Sequence, residues 1–377
     1  MKFPSFDLER IQSLYENSVE VNLTESGIEP LSLKELMNTE ELEELLNLPI
    51  GYGYTQGTPL LRKRISDLYD GFDENNVLVT SGSSEAIFLS AVLTVSEGDK
   101  VVMMTPNYLS FNGIAEALGA EVDYVSLIKK EKWEWDINKL AEVVKDKTKV
   151  ISICNPNNPT GSVLSIKQMK DIIGIAREVD AYILVDEVYI GAELSSDKTK
   201  SFLGMYDKTI VTSGLSKSYS HPGLRIGWII SDNIFVQEAW AVKDYTTIAS
   251  SSLSQHIASK VLEPETISRL RSRTSELLNG NLKTFSDWIL PYSNHLSFLK
   301  PEAGGFAFVE YDMDMNSTDL IHDLRTNEGV FIVPGDSFGM ENFFRVGLGS
   351  EPEEFKKGLD LLSKGLTRIF PHVFSLV

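Results

Sequence analysis

Residues 213–227 read SGLSKSYSHPGLRIG, which places Lys217 among glycines and serines, with Arg225 further along the same run. A lysine amine whose pKa is lowered by burial or by a nearby cation can act as a covalent catalyst and form an imine with an aldehyde cofactor. Arg225 offers that cation, and its forked guanidinium also suits a phosphate. A solvent-exposed loop lysine is the simpler alternative, and the run alone leaves both open.

Two further segments carry polar residues directly behind predicted buried strands. Asn155–Gly161 reads NPNNPTG and follows the apolar run Val150–Cys154, which predicts a strand opening into a rigid turn. Asp186 follows the apolar run Tyr182–Val185, so its carboxylate is costly to bury unless it is paired. The protonated ring nitrogen of pyridoxal phosphate (PLP) is one such partner. The alternatives are a plain turn for the first segment and a helix cap or surface ion pair for Asp186.

Arg345 lies between apolar neighbours in the run FFRVGL, residues 343–348. Its guanidinium suits the carboxylate of a substrate, because the two groups match as a fork. The alternative is an arginine that reaches solvent from an edge strand.

Together, these segments resemble the aspartate-aminotransferase superfamily of PLP enzymes, fold type I, from about Leu23 to Gly349. In that family the motif lysine forms an internal aldimine with PLP, which implies this role for Lys217. The resemblance also implies catalytic roles for Asp186 and Tyr108 and substrate contacts by Arg345 and Asn158. The cofactor-binding residues that it implies are Tyr52, Gly82, Ser83, Ser84, Tyr108, Asn158, Asp186, Tyr189, Ser216, Lys217 and Arg225.

The phosphate loop that the resemblance implies also has a physical basis. The loop reads TSGSSEA over residues 80–86, between a predicted strand at residues 77–79 and a predicted helix at residues 85–95. An anion is favoured at such a helix N-terminus. Many family members carry serine or threonine three residues before the lysine, where this chain has Gly214. One phosphate contact is therefore missing or moved to Ser213.

The resemblance implies a homodimer in which Tyr52 reaches the phosphate of the partner subunit. Tyr54 lies close enough in the sequence to compete for this role.

Composition narrows the class of protein. The chain has 377 residues, enough for about two domains, and a net charge of −19, which opposes nucleic acid or an anionic membrane as partner. Its single cysteine, Cys154, excludes an internal disulfide and a cysteine-rich metal site. The N-terminal residues lack the apolar core of a signal peptide, and no run approaches the roughly 18 apolar residues of a membrane span. We therefore expect a cytoplasmic protein.

Helical and strand patterns alternate between residues 75 and 230, which is typical of a mostly parallel sheet covered by helices. The cofactor groups lie just past the ends of different strands, where ligands of open α/β sheets bind. We predict an α/β fold with a seven-stranded large domain and a smaller α+β domain. The large domain comprises residues 48–285 and the small domain residues 286–377, while residues 1–47 form an N-terminal arm and part of the small domain. The predicted strands are Val77–Thr80, Val101–Thr105, Glu121–Ser126, Val150–Cys154, Tyr182–Val185, Thr209–Thr212 and Leu224–Ile230.

The resemblance implies an aminotransferase that acts on an L-amino acid and a keto acid. Four glutamates, Glu9, Glu16, Glu20 and Glu25, precede Ser26-Gly27 in the region that in this family closes over the substrate, so we assign Glu9 and Gly27 to substrate binding. Carboxylates there favour a cationic, arginine-like side chain, and residues 6–36 are similar to capreomycidine-synthase-like enzymes, which cyclise hydroxylated arginine derivatives. A solvated acidic helix face and a lyase or cyclase reaction are the alternatives.

Overall fold

The computed structural model describes residues 2–195 and 198–374. Its strands are β1 Val21–Asn22, β2 Val77–Thr80, β3 Lys100–Thr105, β4 Glu121–Ile128, β5 Glu134–Trp135, β6 Thr148–Cys154, β7 Tyr182–Asp186, β8 Thr209–Gly214, β9 Gly227–Ile230, β10 Leu296–Phe298, β11 Phe306–Tyr311, β12 Val330–Phe331, β13 Val333–Pro334 and β14 Phe343–Gly347. Its helices are α1 Asp7–Tyr15, α2 Leu33–Leu36, α3 Thr39–Leu46, α4 Pro59–Ser66, α5 Ser83–Thr94, α6 Ser110–Ala117, α7 Ile137–Val143, α8 Ile166–Glu178, α9 Asn233–Lys243, α10 Ser252–Val261, α11 Pro264–Ile289, α12 Ser317–Glu328, α13 Pro352–Ile369 and α14 Pro371–Phe374.

The largest sheet has the strand order β2-β9-β8-β7-β6-β3-β4-β5. The pairs from β8 to β4 are parallel, whereas β9 is antiparallel to both of its neighbours and β5 is antiparallel to β4. All seven predicted strands are present, and the predicted α/β fold is confirmed. The two-residue edge strand β5 was not predicted, because two residues are too short to show an alternating pattern.

Strand β9 begins three residues later than predicted. Residues Pro222–Leu224 form a 3-10 turn, and Arg225 then adopts a left-handed conformation with φ of 50°. The turn matters for the site, since the guanidinium of Arg225 lies directly against Gly82.

Alternate residues of the central strands enter different hydrophobic cores on the two faces of the sheet. Leu78 and Leu184 belong to the core under α5 and α9, while Val79, Ile183 and Val185 belong to the core on the opposite face. Successive side chains of a strand point to opposite faces, so a strand covered on both sides must be apolar throughout. This explains why the strands that lead to the site read as continuous apolar runs.

A second sheet has the antiparallel order β10-β11-β14-β13, and β1 pairs in parallel with β12. Its core includes Val21 and Leu23 from the N-terminal region together with Phe285 of α11 and Leu359 of α13. The N-terminal residues therefore pack with the C-terminal part of the chain, which places Arg345 of β14 beside them.

Helix α11 spans the predicted boundary at residue 285. Leu270 belongs to the core of the large sheet, whereas Leu278 and Ile289 belong to the core of the second sheet. The three-part division of the chain stays a prediction. Helices α10 and α11 are separate, and Pro264 at the first position of α11 marks the break between them. Among the described residues, no helix combines the length and the apolarity needed to cross a membrane.

Candidate active site

A cavity of about 850 Å³ opens at the carboxyl edge of the large sheet, between that sheet and the second one. It brings together residues that are far apart in the sequence. The predicted site residues that line it are Glu9, Ser83, Ser84, Tyr108, Asn158, Asp186, Tyr189, Ser216, Lys217, Arg225 and Arg345. Gly82 and Gly27 lie directly behind this lining, whereas Tyr52 lies outside it.

Asp186 ends β7 on the inner wall of the cavity. Its Oδ1 accepts a hydrogen bond of 3.2 Å from the amide of Val188. Burial raises the pKa of its carboxyl to about 7, and the backbone hydrogen bond and the positive charge of Lys217 oppose that rise. A protonated ring nitrogen at this position would compensate the charge that burial disfavours.

Four side chains form a hydrogen-bonded chain at the next side of the cavity. Asn158 Nδ2 donates to the hydroxyl oxygen of Tyr189 over 3.2 Å, and the Tyr189 hydroxyl donates to Ser26 Oγ over 2.9 Å. Asn158 Oδ1 accepts from Arg345 Nη1 over 2.8 Å. All four are buried. These hydrogen bonds hold Asn158 and Tyr189 next to each other. Both side chains would need to be adjacent in this way to bind the same hydroxyl group of the PLP ring.

Arg345 is only 1% exposed. Its Nη2 donates to the carbonyl of Thr24 over 2.6 Å, and its guanidinium carbon lies 5.6 Å and 5.3 Å from the ring centroids of Phe306 and Phe338. Its buried Nε has no hydrogen-bond partner among the described residues. Burial lowers the pKa of the guanidinium. A buried cation with a free donor is costly, and an incoming carboxylate would satisfy it.

The N-terminus of α5 and the turn before β9 form a close-fitting cup. Gly82 has φ of 84°, and a Cβ atom there would lie 2.5 Å from Nη2 of Arg225. A Cβ on Gly227 would lie 2.4 Å from the amide nitrogen of Ser83. Both glycines let backbone amides and the Arg225 guanidinium converge, which is a donor set suited to a phosphate.

Gly214 has no room for the hydroxyl residue that many relatives carry. A Cβ at this position would lie 2.9 Å from the carbonyl oxygen of Ile226. Ser213 does not replace it, since its hydroxyl donates to the carbonyl of Glu187 over 3.3 Å and does not line the cavity.

Lys217 reaches the cavity in the loop after β8, with 27% of its side chain exposed. Its Nζ lies 3.6 Å from Oε2 of Glu25. A Cβ on Gly27 would lie 3.5 Å from Cδ of Lys217, so residues 25–27 lie directly over the lysine. Gly27 leaves space here that a larger residue would fill.

Tyr108 is held by the N-terminal region. Its hydroxyl donates to Oε1 of Glu9 over 2.7 Å, and the ring of Phe6 meets it edge-on with 4.9 Å between centroids. Burial raises the pKa of the Tyr108 phenol well above its ordinary value, and the charge of Glu9 adds to the rise. The phenol therefore stays neutral, and its ring forms one wall of the cavity.

Three of the four predicted N-terminal carboxylates line the cavity, namely Glu9, Glu16 and Glu25. Burial raises the pKa of Glu16, and the charges of Glu25 and Glu9 raise it further, while Lys217 opposes them. Glu20 lies elsewhere, because it pairs with Lys357 over 2.8 Å. The three carboxylates carry more negative charge than Lys217 alone compensates.

Sequence reasoning missed Thr24 and Ser26. The carbonyl of Thr24 accepts from Arg345, and the hydroxyl of Ser26 accepts from Tyr189. For Ser26 the available signal was its position next to Gly27, a residue that the sequence had already indicated. The Thr24 contact uses only the backbone, so its residue type carries no signal.

Tyr52 is 78% exposed and Tyr54 is 59% exposed, on the segment that leads into α4. The sequence prediction placed Tyr52 at the site of a partner subunit. Its exposure and its position outside the cavity are compatible with that prediction but do not test it.

A sequence model of class I and II aminotransferases matches residues 35–362. The chain belongs to this family. Members of the family act on small-molecule amino acid and keto acid substrates with PLP, so the family confirms the predicted cofactor. Capreomycidine synthase from Streptomyces vinaceus is 27% identical over 339 residues, which cover 88% of this chain and 84% of that protein. Tyrosine aminotransferase from Dictyostelium discoideum is 26% identical over 314 residues, which cover 79% and 75%.

Solved structures agree with the family assignment. The structure of a PLP-dependent aminotransferase from Streptococcus suis superposes with a TM-score of 0.92 and 33% identity, over 98% of this chain and 99% of that one. This class I and II family member is therefore an enzyme with fold type I.

Proposed function

We propose that this family member is an aminotransferase that uses PLP held covalently by Lys217 and acts on an L-amino acid. The observation that supports it best is the convergence of Lys217, Asp186, Asn158, Tyr189 and Arg345 on one cavity. When bound, PLP would act as an electron sink for bonds at the α-carbon of the substrate. In this proposal Asp186 pairs with the ring nitrogen, and Asn158 and Tyr189 bind the ring hydroxyl.

The remaining cofactor contacts follow from the same cavity. Tyr108 covers one face of the ring, and the phosphate binds in the cup of Gly82, Ser83, Ser84, Ser216 and Arg225, with Tyr52 of a second copy completing it. The buried, partly unpartnered guanidinium of Arg345 receives the α-carboxylate of the substrate. Fixing that carboxylate orients the α-carbon toward Lys217, whose amine then accepts and returns the α-proton.

We further propose that the substrate side chain is cationic and arginine-like. Glu9, Glu16 and Glu25 face the same cavity, and their mutual repulsion contributes to the raised pKa of Glu16. A guanidinium among them would relieve that repulsion and exchange it for charge-assisted hydrogen bonds. The alternative is a solvated acidic surface with no role in recognition.

A cyclase or lyase reaction is the second candidate. The similarity to capreomycidine synthase over most of the chain favours it. The two reactions share the cofactor site, so the distinction needs an assay with the intact holoenzyme. Turnover of the amino acid that requires an added keto acid, either 2-oxoglutarate or a monocarboxylate, and yields a new keto acid identifies a transferase. Turnover without an acceptor identifies a lyase or cyclase.

Charge-neutral variants test the cationic pocket. For Glu16→Gln and Glu25→Gln we expect the apparent Kd for arginine to rise by up to roughly fivefold, since one partly exposed ion pair contributes at most about 1 kcal/mol. The affinity for alanine should change little. Glu20→Gln is the matched control, because Glu20 pairs with Lys357 outside the cavity. A wild-type enzyme that reacts faster with glutamate or tyrosine than with arginine would contradict the cationic pocket but leave the aminotransferase proposal intact.

A further inference from the structure

Glu85 lies in the first turn of α5, the helix whose N-terminus forms the phosphate cup. Its side chain is buried, with 8% exposure, and Glu85 is not one of the residues that line the cavity. The positive end of the helix stabilises a carboxylate there, but the same charge would repel a phosphate bound one turn earlier. The two electrostatic effects of a carboxylate therefore oppose each other at this position.

The contacts of Glu85 connect the phosphate loop to the segment that follows α9. Oε2 accepts a hydrogen bond of 2.6 Å from the amide of Ser81, the residue before Gly82. Oε1 accepts from the hydroxyl of Thr247 over 2.8 Å and from the hydroxyl of Thr246. The hydroxyl of Ser81 also bonds to that of Ser250 over 3.3 Å. One carboxylate thus links the first turn of the phosphate loop to residues 246–250.

Lys243 holds the same segment from its other side. It is fully buried, and its Nζ donates to the carbonyls of Ile248 over 2.7 Å and Thr55 over 3.2 Å. Burial lowers the pKa of Lys243, and the charge of Glu85 opposes this shift. The two buried charges stabilise each other across the segment without a direct ion pair, because backbone and hydroxyl groups occupy the space between them.

We propose that Glu85 and Lys243 are positioning residues for the cofactor phosphate. Lys243 fixes residues 246–250, and Glu85 transmits that fixed position to Ser81, so that the amides at Gly82, Ser83 and Ser84 point into the cavity. This inference rests on the proposed assignment of that loop to the phosphate. The alternative is a purely structural link that supports the fold and leaves phosphate binding unchanged.

Binding of PLP and of pyridoxal, which lacks the phosphate, separates these two roles. In Glu85→Gln the amide nitrogen of glutamine cannot accept a hydrogen bond, so either Ser81 or the two threonines lose their acceptor. We expect the Kd for PLP, measured on the apoenzyme by absorbance titration, to rise about tenfold with the Kd for pyridoxal unchanged, as for the loss of one charge-assisted hydrogen bond. Lys243→Met should act in the same direction. Glu178→Gln, an exposed change of the same charge on α8, is the control.

The contrary outcomes are specific. Tighter PLP binding in Glu85→Gln would show that charge repulsion dominates, and unchanged binding would show that the hydrogen bonds of Glu85 do not position the loop. Either result would overturn the positioning role. An equal loss for PLP and pyridoxal would show a general structural link and would also overturn it. Should Glu85→Gln not fold, Thr247→Val removes one of the hydroxyl donors at similar volume. The Kd values of this variant for PLP and for pyridoxal then distinguish the positioning role from the structural one. A wild-type enzyme that binds both ligands equally would instead refute the proposed phosphate loop itself.

Discussion

Asp186 and Glu187 are consecutive acids that face opposite sides of the large sheet. Asp186 lines the cavity, whereas Glu187 is 1% exposed and accepts hydrogen bonds from Ser201 Oγ over 2.9 Å and from the amide of Phe202 over 3.1 Å. Burial raises the pKa of Glu187 to about 8, while these two hydrogen bonds oppose the rise. Only Asp186 is therefore placed to serve a cofactor, and Glu187 is a structural acid that stays protonated at neutral pH.

The raised pKa of Glu187 predicts a pH-dependent stability. An acid whose pKa rises from 4.5 in the unfolded chain to about 8 in the fold stabilises the fold fully below pH 4.5 and loses that contribution as the pH rises through 8. The free energy of unfolding of the apoenzyme should fall by up to about 1.4 kcal/mol per pH unit in this window from this group. Glu187→Gln should flatten the slope in urea titrations between pH 5 and 8.5. Parallel slopes for the two proteins would contradict the assignment.

Lys217 is the residue on which the proposed chemistry depends. Lys217→Ala removes both the covalent attachment of PLP and the group that moves the α-proton, so activity should fall by at least about 10²–10⁴-fold. The fold should persist, because the side chain is 27% exposed and, within residues 2–195 and 198–374, its ion-pair partner is the exposed Glu25. Circular dichroism checks the fold, and borohydride trapping of the cofactor checks the attachment. Turnover close to that of the wild type would refute the mechanism.

At the scale of elements, the contact between β9 and the start of α5 shapes the phosphate cup. In Gly227→Ala the new Cβ would meet backbone atoms of Gly82 and Ser83 at 2.4 Å, and backbone cannot move aside as a side chain can. We expect the variant to lose about 1–3 kcal/mol of stability by overpacking, and to bind PLP more weakly. Gly174→Ala in α8, where a Cβ would meet nothing within 4 Å, should instead gain up to about 1 kcal/mol. Thermal melts of the two variants test this contrast.

The elements were largely predictable from the sequence, because strands covered on both faces must be apolar and helices show their own period. The seven main strands followed from such runs, with ends shifted by up to three residues. The loop geometry did not follow. Arg225 adopts a left-handed conformation and lies against Gly82, and Gly214 is crowded by the carbonyl of Ile226. The members of each pair come close only in the folded chain.

The site shows the same limit of sequence reasoning. Motifs identified Lys217, Asp186 and Arg345, since their residue types carry the chemistry. The pairing of Arg345 with the Thr24 carbonyl joins residues 321 positions apart, and no local pattern records such a contact. The separation of Glu20 from the other three glutamates likewise depends on where α13 places Lys357.

At the scale of the whole molecule, exposed apolar side chains occur on two segments, one before α4 and one after α9. They include Leu46, Ile50, Tyr52, Tyr54 and Tyr245, with Tyr245 at 91% exposure. We propose that a second copy covers this surface, as the predicted homodimer requires, with Tyr52 entering the partner's phosphate cup.

Mixing two variants of low activity tests whether Tyr52 acts in the site of the partner subunit. Lys217→Ala and Tyr52→Ala should each be impaired alone. In a hybrid dimer one site receives native Lys217 and native Tyr52, so random subunit exchange should restore about a quarter of the native sites. Activity measured before and after exchange decides. No recovery despite demonstrated exchange would place Tyr52 in the site of its own subunit, or in none.

The glutamates at the cavity also bear on the second half of a transamination, in which a keto acid enters the cavity that the donor has left. Glu9, Glu16 and Glu25 would attract a donor that carries a guanidinium group. The same three charges would repel a dicarboxylate such as 2-oxoglutarate. The entrance would thus favour one half-reaction at the expense of the other. A monocarboxylate acceptor, whose single charge Arg345 can neutralise, would meet the smaller barrier.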